Sequence, residues 1–382
     1  MGNHFRIAVP LALVLALVTG ATPRSARADE PAKHYVCRPC GLPCDATVFD
    51  KPGVCPKCGM ALVDQASVVA RTDRTSVGIL VFDGVEIIDY TGPWEVFGSA
   101  DFRVYTVAAS KDPITTAMGM NVVPNYSFAD APQPDILVVP GGGVRAARSD
   151  AGTLNWVRGA NQKTKITMSV CNGAFILASA GLLDGLAATT TAKNIPAMRS
   201  EFPKVKVVDD QRWVDNGRIV TAAGLSAGID GALHVVERLR GRGTAQNVAL
   251  SEEYDWQTHS QYARAALADL LIPEIREEDL AASGDWEIVS TEGGRERWDV
   301  AFRGPSKLRA RDLFDKLCDV LTTRGRWNRV EAASGVSPAP QLGHWEIHGR
   351  DGQKWTGTMS VADDTEGANR YVVAIHVARA DP

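Results

Sequence analysis

Apolar and polar residues follow two alternating patterns between residues 75 and 257. Short runs are apolar almost throughout, and longer segments between them repeat apolar residues every three or four positions. The first pattern is typical of buried strands and the second of helices. The apolar runs are SVGILVFDG, RVYTVAAS, DILVVPGGG, ITMSVCNGA and RIVTAAGLSAG, and the helical segments include EIIDYTGPWEVFGSA, LNWVRGANQK and GAFILASAGLLDG. This alternation predicts an α/β fold, a doubly wound parallel sheet that helices cover on both faces.

The pattern changes in the last third of the chain. Residues 258–284 keep helical spacing as far as Leu271 and then become acidic, which predicts a helical linker. Two later segments share the order Trp-Glu-Ile, glycine turn, second tryptophan, and this order predicts two β-hairpins. Their tryptophans are Trp286 with Trp298, and Trp345 with Trp355. We expect each hairpin to bury its tryptophans as a cross-strand pair rather than to expose them as a binding surface.

A helix is predicted between the two hairpins. The segment KLRARDLFDKLCDVLTTRG repeats apolar residues with helical spacing, and Cys318 falls on or near the apolar face, where we expect it to pack in a core. Four leucines define that face: Leu308, Leu313, Leu317 and Leu321. With a last strand in YVVAIHVA, residues 285–382 are predicted to form a small α+β domain, to which we assign no role.

The first 28 residues have the pattern of a secretory signal peptide. Arg6 gives a positive start, IAVPLALVLALVTGA is apolar, and Ala26-Arg27-Ala28 fits a cleavage site before Asp29. Pro10 and the shortness of the apolar run argue against a membrane anchor. We therefore expect a mature protein that is periplasmic or secreted and is not attached to a membrane.

Five of the seven cysteines lie within residues 34–64. Cys37/Cys40 and Cys55/Cys58 form two Cys-x-x-Cys pairs, and Cys44 lies between the pairs. Two such pairs can offer four thiolates to one ion in tetrahedral geometry, which suits Zn²⁺. A segment this short cannot bury a useful core, so a bound metal would supply much of its folding free energy. The spacing predicts a metal-binding knuckle over residues 34–64.

The knuckle resembles the small heavy-metal-binding domain found at the ends of copper-transporting ATPases and efflux adaptors. Its second half, DKPGVCPKCGMALV, follows the pattern of that domain. In the first half, Arg38-Pro39-Cys40 replaces the usual Pro-Met-His, so the set of ligands is richer in sulfur. Three interpretations stay open: a structural Zn²⁺ site, handling of Cu⁺ with Met60 and Cys44 as added ligands, and disulfides, which an oxidising compartment permits.

Cys171 lies where a predicted strand meets a predicted helix. ITMSV is the strand, and GAFILASAGLL follows as the helix. A residue at so sharp a turn is expected to be exposed, and the helix N-terminus favours its thiolate. Carboxyl ends of parallel strands meet at one edge of a sheet, so the run VVPGGG brings backbone amides to the same place. We expect the amides of Gly142, Gly143 and Asn172 to hold an anion there. A buried structural thiol is the alternative for Cys171.

Several segments in order resemble the ThiJ/PfpI superfamily: SVGILVFDGVEIIDYTGPWEVFG, DILVVPGGG, VCNGAFILASAGLLDGLAATTTA, and GLSAGIDGALHVVERL followed by SEEYDW. The region from Ser76 to Trp256 is most similar to isonitrile hydratase and to the ligand-sensing domains of some transcription regulators. The resemblance implies a flavodoxin-like fold, a nucleophilic Cys171, a partner carboxyl at Asp89 and homodimers. A carboxyl beside a thiolate is expected to have a raised pKa and to donate a proton. Capping of the adjacent helix is the alternative role for Asp89.

Departures from the family pattern reduce the number of functions that fit this sequence. Asn172 stands where protease-like members have histidine and where the hydratase branch has threonine. Ala192 stands where that branch has a histidine, and His234 lies in an apolar helical segment that predicts a core position. A Cys–His hydrolase is therefore disfavoured. No helix-turn-helix module follows Trp256, and the predicted export excludes a transcription regulator.

Three functions fit these residues. In the first, Cys171 attacks a small electrophile and Asp89 manages the proton, as in hydration or glyoxalase-type chemistry. In the second, the protein binds metal or senses redox stress through its thiols, without turnover. In the third, the central domain is an inactive binding module. The expected ligands are a small electrophile or a metal ion, with Zn²⁺ or Cu⁺ at the knuckle and no cofactor in the central domain. A net charge of −4 gives no case for a nucleic-acid partner.

Overall fold

The computed structural model describes residues 33–37, 44, 47–66, 74–258, 262–330, 341–349 and 352–380. The predicted signal peptide and Cys40 lie outside these residues. The chain divides into two compact units, Met1–Asp73 and Arg74–Pro382. No helix in the described part of the chain is both long and apolar enough to span a membrane.

The first unit contains a small antiparallel sheet. Its strands are β1 (Tyr35–Val36), β2 (Val48–Phe49) and β3 (Val63–Asp64), and β1 lies in the middle. The buried residues of this unit include Cys37, Cys44 and Cys55, against which Phe49 and Leu62 pack. Thiols therefore take the place that larger apolar side chains occupy in an ordinary core.

A mostly parallel sheet forms the centre of the second unit. Its strands are β4 (Ser76–Leu80), β5 (Arg103–Ala108), β8 (Tyr126–Ser127), β9 (Ile136–Val139), β10 (Ile166–Val170), β13 (Trp213–Asp215) and β14 (Ile219–Ala222). They lie in the order β13-β14-β10-β9-β4-β5-β8, and only the edge strand β13 runs antiparallel to its neighbour. Strands β4, β9 and β10 are buried along their whole length, as expected for a sheet covered on both faces.

Helices cover the central sheet as predicted. They are α1 (Ile87–Ser99), α2 (Ala151–Lys163), α3 (Gly173–Ser179), α4 (Ile195–Glu201), α5 (Ser226–Arg240) and α6 (Arg242–Ser251). One core contains Phe97 of α1 and Leu233 of α5, and the other contains Val157 of α2 and Ile176 of α3. Two short strand pairs complete the domain: β6 (Ile114–Thr115) with β7 (Asn121–Val122), and β11 (Ala187–Ala188) with β12 (Lys206–Val207).

The C-terminal domain is a six-stranded antiparallel sheet with one long helix. Its strands are β15 (Glu287–Gly293), β16 (Arg297–Pro305), β17 (Asn328–Val330), β18 (Leu342–His348), β19 (Lys354–Asp363) and β20 (Arg370–Arg379), in the order β15-β16-β20-β19-β18-β17. Helix α7 (Ala310–Thr323) buries Leu313, Leu317, Leu321 and Cys318 against the sheet, as its spacing predicts. Leu308 lies just before the helix and is partly buried.

Two details of this domain differ from prediction. Trp345 pairs with Gly357 and Trp355 with Ile347, so these tryptophans are core residues but not cross-strand partners. Residues 262–284 contain two short 3₁₀ helices, Arg264–Ala266 and Ala268–Leu271, where a longer helical linker was expected. The side chains of this segment join the C-terminal core, and that packing overrides its helical spacing.

Candidate functional site

Cys171 occupies the turn between strand β10 and helix α3. Its φ is +58°, a left-handed conformation that is rare for a residue with a Cβ and persists only where neighbours enforce it. The Cys171 amide donates to the Ala222 carbonyl (3.1 Å), and its carbonyl accepts from the Thr190 hydroxyl (2.9 Å). A Cβ on Gly173 would lie 2.1 Å from the Val139 carbonyl oxygen, so the helix can begin here only with glycine. These contacts confirm the predicted sharp turn.

The Asp89 carboxyl lies beside Cys171. It is fully buried in the first turn of α1, where it interacts electrostatically with the Cys171 side chain. The Leu225 amide donates to Oδ1 (3.0 Å), and the Gly141 amide donates to Oδ2 (3.1 Å). Because both amides come from other strand ends, Asp89 does not cap its own helix. The structure thus brings together the two residues that the family resemblance paired.

Burial controls the protonation of both groups. It raises the pKa of Asp89 to about 6, against the opposing effect of the Leu225 and Cys171 hydrogen bonds. Burial, followed by the nearby Asp89 charge, raises the pKa of Cys171 to about 12, although the Asn172 amide opposes the shift. The prediction of an exposed thiolate is therefore wrong: Cys171 is 9% exposed, and the thiol is its resting form. At neutral pH an ionised carboxylate faces a thiol, which is the arrangement of a general base and its nucleophile.

The glycine loop after β9 is tied into the fold. The Gly142 amide donates to Asn172 Oδ1 (2.7 Å), and Asn172 Nδ2 donates back to the Gly142 carbonyl (2.9 Å). The Gly143 amide donates to the Gly84 carbonyl (2.7 Å). The expected anion hole therefore does not form from Gly142 and Gly143 in this arrangement, because both amides already have protein partners. The remaining predicted donor, the Asn172 amide, acts on the Cys171 thiol and lowers its pKa against the effect of burial.

No sequence pattern marks Leu225, whose amide binds Asp89. Its φ of +53° and ψ of −115° are unusual for leucine, and its neighbours hold it there. Ser226 begins helix α5 directly after it. The Arg212 guanidinium donates to Ser226 Oγ (3.1 Å) and to Asp230 Oδ2 (2.6 Å), and so fixes the first turn of α5. Arg212 and Asp230 thereby position the backbone that contacts the Asp89 carboxylate.

Thr191 and Gly224 form another wall of the site. A Cβ on Gly224 would lie 3.1 Å from Thr191 Cβ and 3.5 Å from Cys171 Sγ, so glycine keeps space in front of the sulfur. Thr190 is buried and hydrogen-bonded to the Cys171 carbonyl. The segment that departs from the hydratase pattern thus still builds the site, although without a histidine.

His234 takes no part in the site. Its Nε2 lies 2.8 Å from Asp215 Oδ2, and its ring lies 5.6 Å from the Trp213 ring. The apolar spacing predicted a core position for His234, but its side chain is only half-buried on α5. Its carboxylate partner accounts for its position.

Four cysteines meet in the first unit. The Sγ atoms of Cys37, Cys44, Cys55 and Cys58 all lie within 4.8 Å of one another. A tetrahedral Zn²⁺ ion with bonds of about 2.3 Å separates its sulfur ligands by about 3.8 Å, so the group has the size and donor chemistry to hold one metal ion. The Cys-x-x-Cys spacing favoured Cys40 as the fourth ligand, but the fourth cysteine of this group is Cys44. Cys40 lies outside the described residues. No disulfide joins the described cysteines.

The thiols of this cluster influence one another. Cys37 Sγ and Cys58 Sγ are 3.0 Å apart. This hydrogen bond, with the Met60 amide, lowers the pKa of Cys58 to about 7. The same contact is the main cause of the raised pKa of Cys37. Because metal binding requires deprotonated thiols, acid will compete with the metal at this cluster.

Comparison with known proteins identifies both regions. The DJ-1/PfpI family profile matches residues 75–238, and the heavy metal binding domain profile matches residues 34–65. Isonitrile hydratase from Pseudomonas putida is 36% identical over 181 residues, which cover 47% of this chain and 78% of the hydratase. The chain belongs to the DJ-1/PfpI family. Its first unit is a heavy metal binding domain with a four-cysteine cluster.

Other relatives match the DJ-1/PfpI domain as well. The HTH-type transcriptional regulator GbdR from Pseudomonas aeruginosa is 26% identical over 190 residues, which cover 48% of this chain and 51% of the regulator. A ThiJ/PfpI family protein of known structure from Pseudomonas syringae is 34% identical, covers 49% of this chain and 78% of its own, and has a TM-score of 0.46.

The buried carboxyl gives this DJ-1/PfpI domain a defined pH dependence. Asp89 binds its proton more tightly in the fold, at a pKa of about 6, than at the ordinary value of 3.8. Its contribution to stability is therefore present below about pH 4 and is lost as the pH rises through about 6. Asn does not titrate, so the Asp89→Asn variant does not lose this contribution. We expect the free energy of unfolding of the variant, minus that of the wild type, to rise by about 3 kcal/mol between about pH 4 and pH 8. Urea unfolding measures this difference, and a constant offset at all pH values would contradict it.

Proposed function

We propose that the DJ-1/PfpI domain hydrates or hydrolyses a small electrophile, with Cys171 as the nucleophile. The observation that carries this proposal is the buried Asp89 carboxyl beside a thiol at a strained strand-to-helix turn. An acceptor with a pKa near 6 serves as the base at neutral pH, and no histidine is required. The 36% identity to isonitrile hydratase makes an isonitrile the first substrate to test.

The proposed reaction needs one water molecule and no redox partner. Asp89 accepts the thiol proton while Cys171 Sγ bonds to the terminal isonitrile carbon, and the same proton then passes to that carbon to give a thioimidate. Water adds to the thioimidate carbon and protonates the nitrogen. The carbon–sulfur bond then breaks, and the second water proton returns to sulfur through Asp89. The product is an N-substituted formamide, and the thiol is restored.

Formamide production by the purified protein tests this function. We expect turnover by the wild type, loss of about 1000-fold or more in Cys171→Ala, and loss of about 100-fold or more in Asp89→Asn. Cys318→Ala is the matched control, because it removes another buried sulfur, from the C-terminal core. Equal rates in wild type and Cys171→Ala, with α-dicarbonyls as well as isonitriles, would contradict the proposal.

The cysteine cluster favours a second candidate function. A protein that binds metal or senses redox stress through its thiols, without turnover, would use the four sulfurs within 4.8 Å as its working part. This candidate predicts soft-metal affinity that Cys55→Ser removes, together with no turnover of any small electrophile. Turnover that persists in Cys55→Ser and disappears in Cys171→Ala would exclude it.

We infer that Zn²⁺ is the metal of the cluster. Four sulfur donors leave no open coordination position, so the ion would be structural and would stabilise the small unit. Cu⁺ is the alternative, since Met60 packs against the cluster and offers a thioether. Elemental analysis of protein purified from cells grown with both metals distinguishes the two ions.

We also propose that the protein is exported to the periplasm or secreted, and that it acts there as a homodimer on a small molecule or metal ion. The signal-like composition of residues 1–28 supports export. A mature chain that begins at Asp29 in the periplasmic fraction would agree with this location. Full-length protein retained in the cytoplasm would contradict it.

A further inference from the structure

A cavity of about 300 Å³ opens beside the Cys171 turn. Its walls come from the loop after β9, from helix α4, and from Asn172 and Phe175. Cys171 does not line the cavity itself but is the residue directly before Asn172. A space of this size accepts a small molecule. The polar and charged residues that line it are Arg145, Arg148, Asn172, Asn194 and Glu201.

Arg148 forms an ion pair and an aromatic contact within the protein. Its Nη1 lies 2.7 Å from Glu201 Oε2, and its guanidinium lies 5.2 Å from the centre of the Phe175 ring. The Asn172 side chain uses both its polar atoms on Gly142. These residues therefore form a fixed wall, in which Glu201 compensates the charge of Arg148.

Arg145 is the charged residue of the cavity that has no partner among the described residues. It is exposed, and within the described part of the chain no hydrogen bond, ion pair or aromatic contact engages it. The other lining charges cancel, so the cavity carries one uncompensated positive charge. The Asp89 carboxylate next to Cys171 would otherwise repel an anion. A cation in the adjoining cavity offsets this repulsion for a reagent that is both anionic and electrophilic.

We propose that Arg145 selects electrophiles that carry a carboxylate or a similar small anion. The anion lies against Arg145 in the cavity while the reactive carbon reaches Cys171. This inference rests on the proposed function only in taking Cys171 as the reacting group. It names the substrate class: small isonitriles or carbonyl compounds with an acidic group a few atoms from the reactive carbon.

Competition between iodoacetate and iodoacetamide tests the proposal without any turnover. Iodoacetate carries a carboxylate where iodoacetamide carries an amide. With either reagent, the Cys171 sulfur bonds to carbon, iodide leaves, and the thiol proton passes to Asp89 or water. Peptide mass spectrometry gives the ratio of the two rate constants at Cys171. We expect this ratio to fall about fivefold in Arg145→Gln and to rise in Glu201→Gln, which releases the charge of Arg148. Lys163→Gln, the same change of charge at the end of α2, leaves the ratio unchanged.

An unchanged ratio in Arg145→Gln would overturn the proposal, and so would an equal fall in Lys163→Gln, since that would indicate only the net charge of the protein. With substrates, Arg145→Gln should raise the KM for isocyanoacetate and leave the KM for its methyl ester unchanged. Retained selectivity for iodoacetate with no turnover of either isonitrile would contradict the proposed function but support the anion site.

Discussion

Gly141→Ala should abolish the reactivity of Cys171 and destabilise the second unit by about 3 kcal/mol. A Cβ on Gly141 would lie 2.2 Å from Asn172 Oδ1, 2.8 Å from the Asn172 nitrogen and 2.9 Å from Asp89 Oδ2. All three atoms belong to the site, and none lies at the end of a long side chain that could move aside. Relief of the clash must therefore separate Asp89 from the amide that holds it. Alkylation of Cys171 by iodoacetamide and urea unfolding measure the two effects.

Gly143→Ala is the matched control for this substitution, two residues further along the same loop. The nearest atom to its added Cβ is the Gly84 carbonyl oxygen at 3.5 Å, an ordinary contact. We expect its free energy of unfolding to stay within about 0.5 kcal/mol of the wild type. If Gly141→Ala proves equally stable and its Cys171 reacts at the wild-type rate, the close contact of Gly141 with Asp89 is unimportant.

Removal of the metal should unfold the first unit and leave the second unit folded. A structural Zn²⁺ site of four thiolates contributes about 10 kcal/mol or more, whereas strands of two residues contribute little by themselves. With a strong chelator, we expect rapid hydrogen exchange at the amides of Cys55, Gly59 and Leu62, whose hydrogen bonds close the turn around the cluster. The second unit, with its separate cores, should keep its melting temperature. Slow exchange at these amides in metal-free protein would contradict a structural metal.

Cys44→Ser identifies the fourth ligand. We expect it to weaken Zn²⁺ binding by about 100-fold or more, since even residues that only support a metal ligand cost 10–100-fold when they are lost. Cys40→Ser is the matched comparison, because the Cys-x-x-Cys spacing favours Cys40 and the structure gathers Cys44. A greater loss from Cys40→Ser than from Cys44→Ser would show that the spacing is the better guide.

The fold was predictable where burial repeats along the chain. Strands β4, β9 and β10 are apolar because both of their faces are covered, and α7 shows its leucine face at helical spacing. Prediction failed where packing from distant residues decides. The Leu271 carbonyl accepts from the Trp327 indole (2.9 Å), and Ala268 is buried in the C-terminal core, so the segment before Pro273 forms 3₁₀ turns instead of a helix.

The candidate site was predictable in its side chains and not in its backbone. Cys171 at the strand end and Asp89 in the first turn of α1 follow from sequence patterns and from the family resemblance. The contributions of Leu225 and Gly141 are amides, which any residue type carries. The partners of the Gly142 and Gly143 amides likewise depend on the tertiary approach of Asn172 and Gly84, which no spacing along the chain encodes.

The two amides that hold Asp89 come from residues 52 and 136 positions along the chain. The proton affinity of this one carboxyl therefore depends on three strand ends being assembled at once. In a partly folded chain that lacks the β14–α5 connection, the Leu225 amide would not bind Asp89. The pKa of Asp89 and the reactivity of Cys171 would then differ from those of the native protein. The unfolded chain exposes the Cys171 thiol, whereas the folded chain buries it. Pulsed thiol labelling during refolding would thus show when Cys171 becomes protected, and late protection would mean that these strand ends come together late.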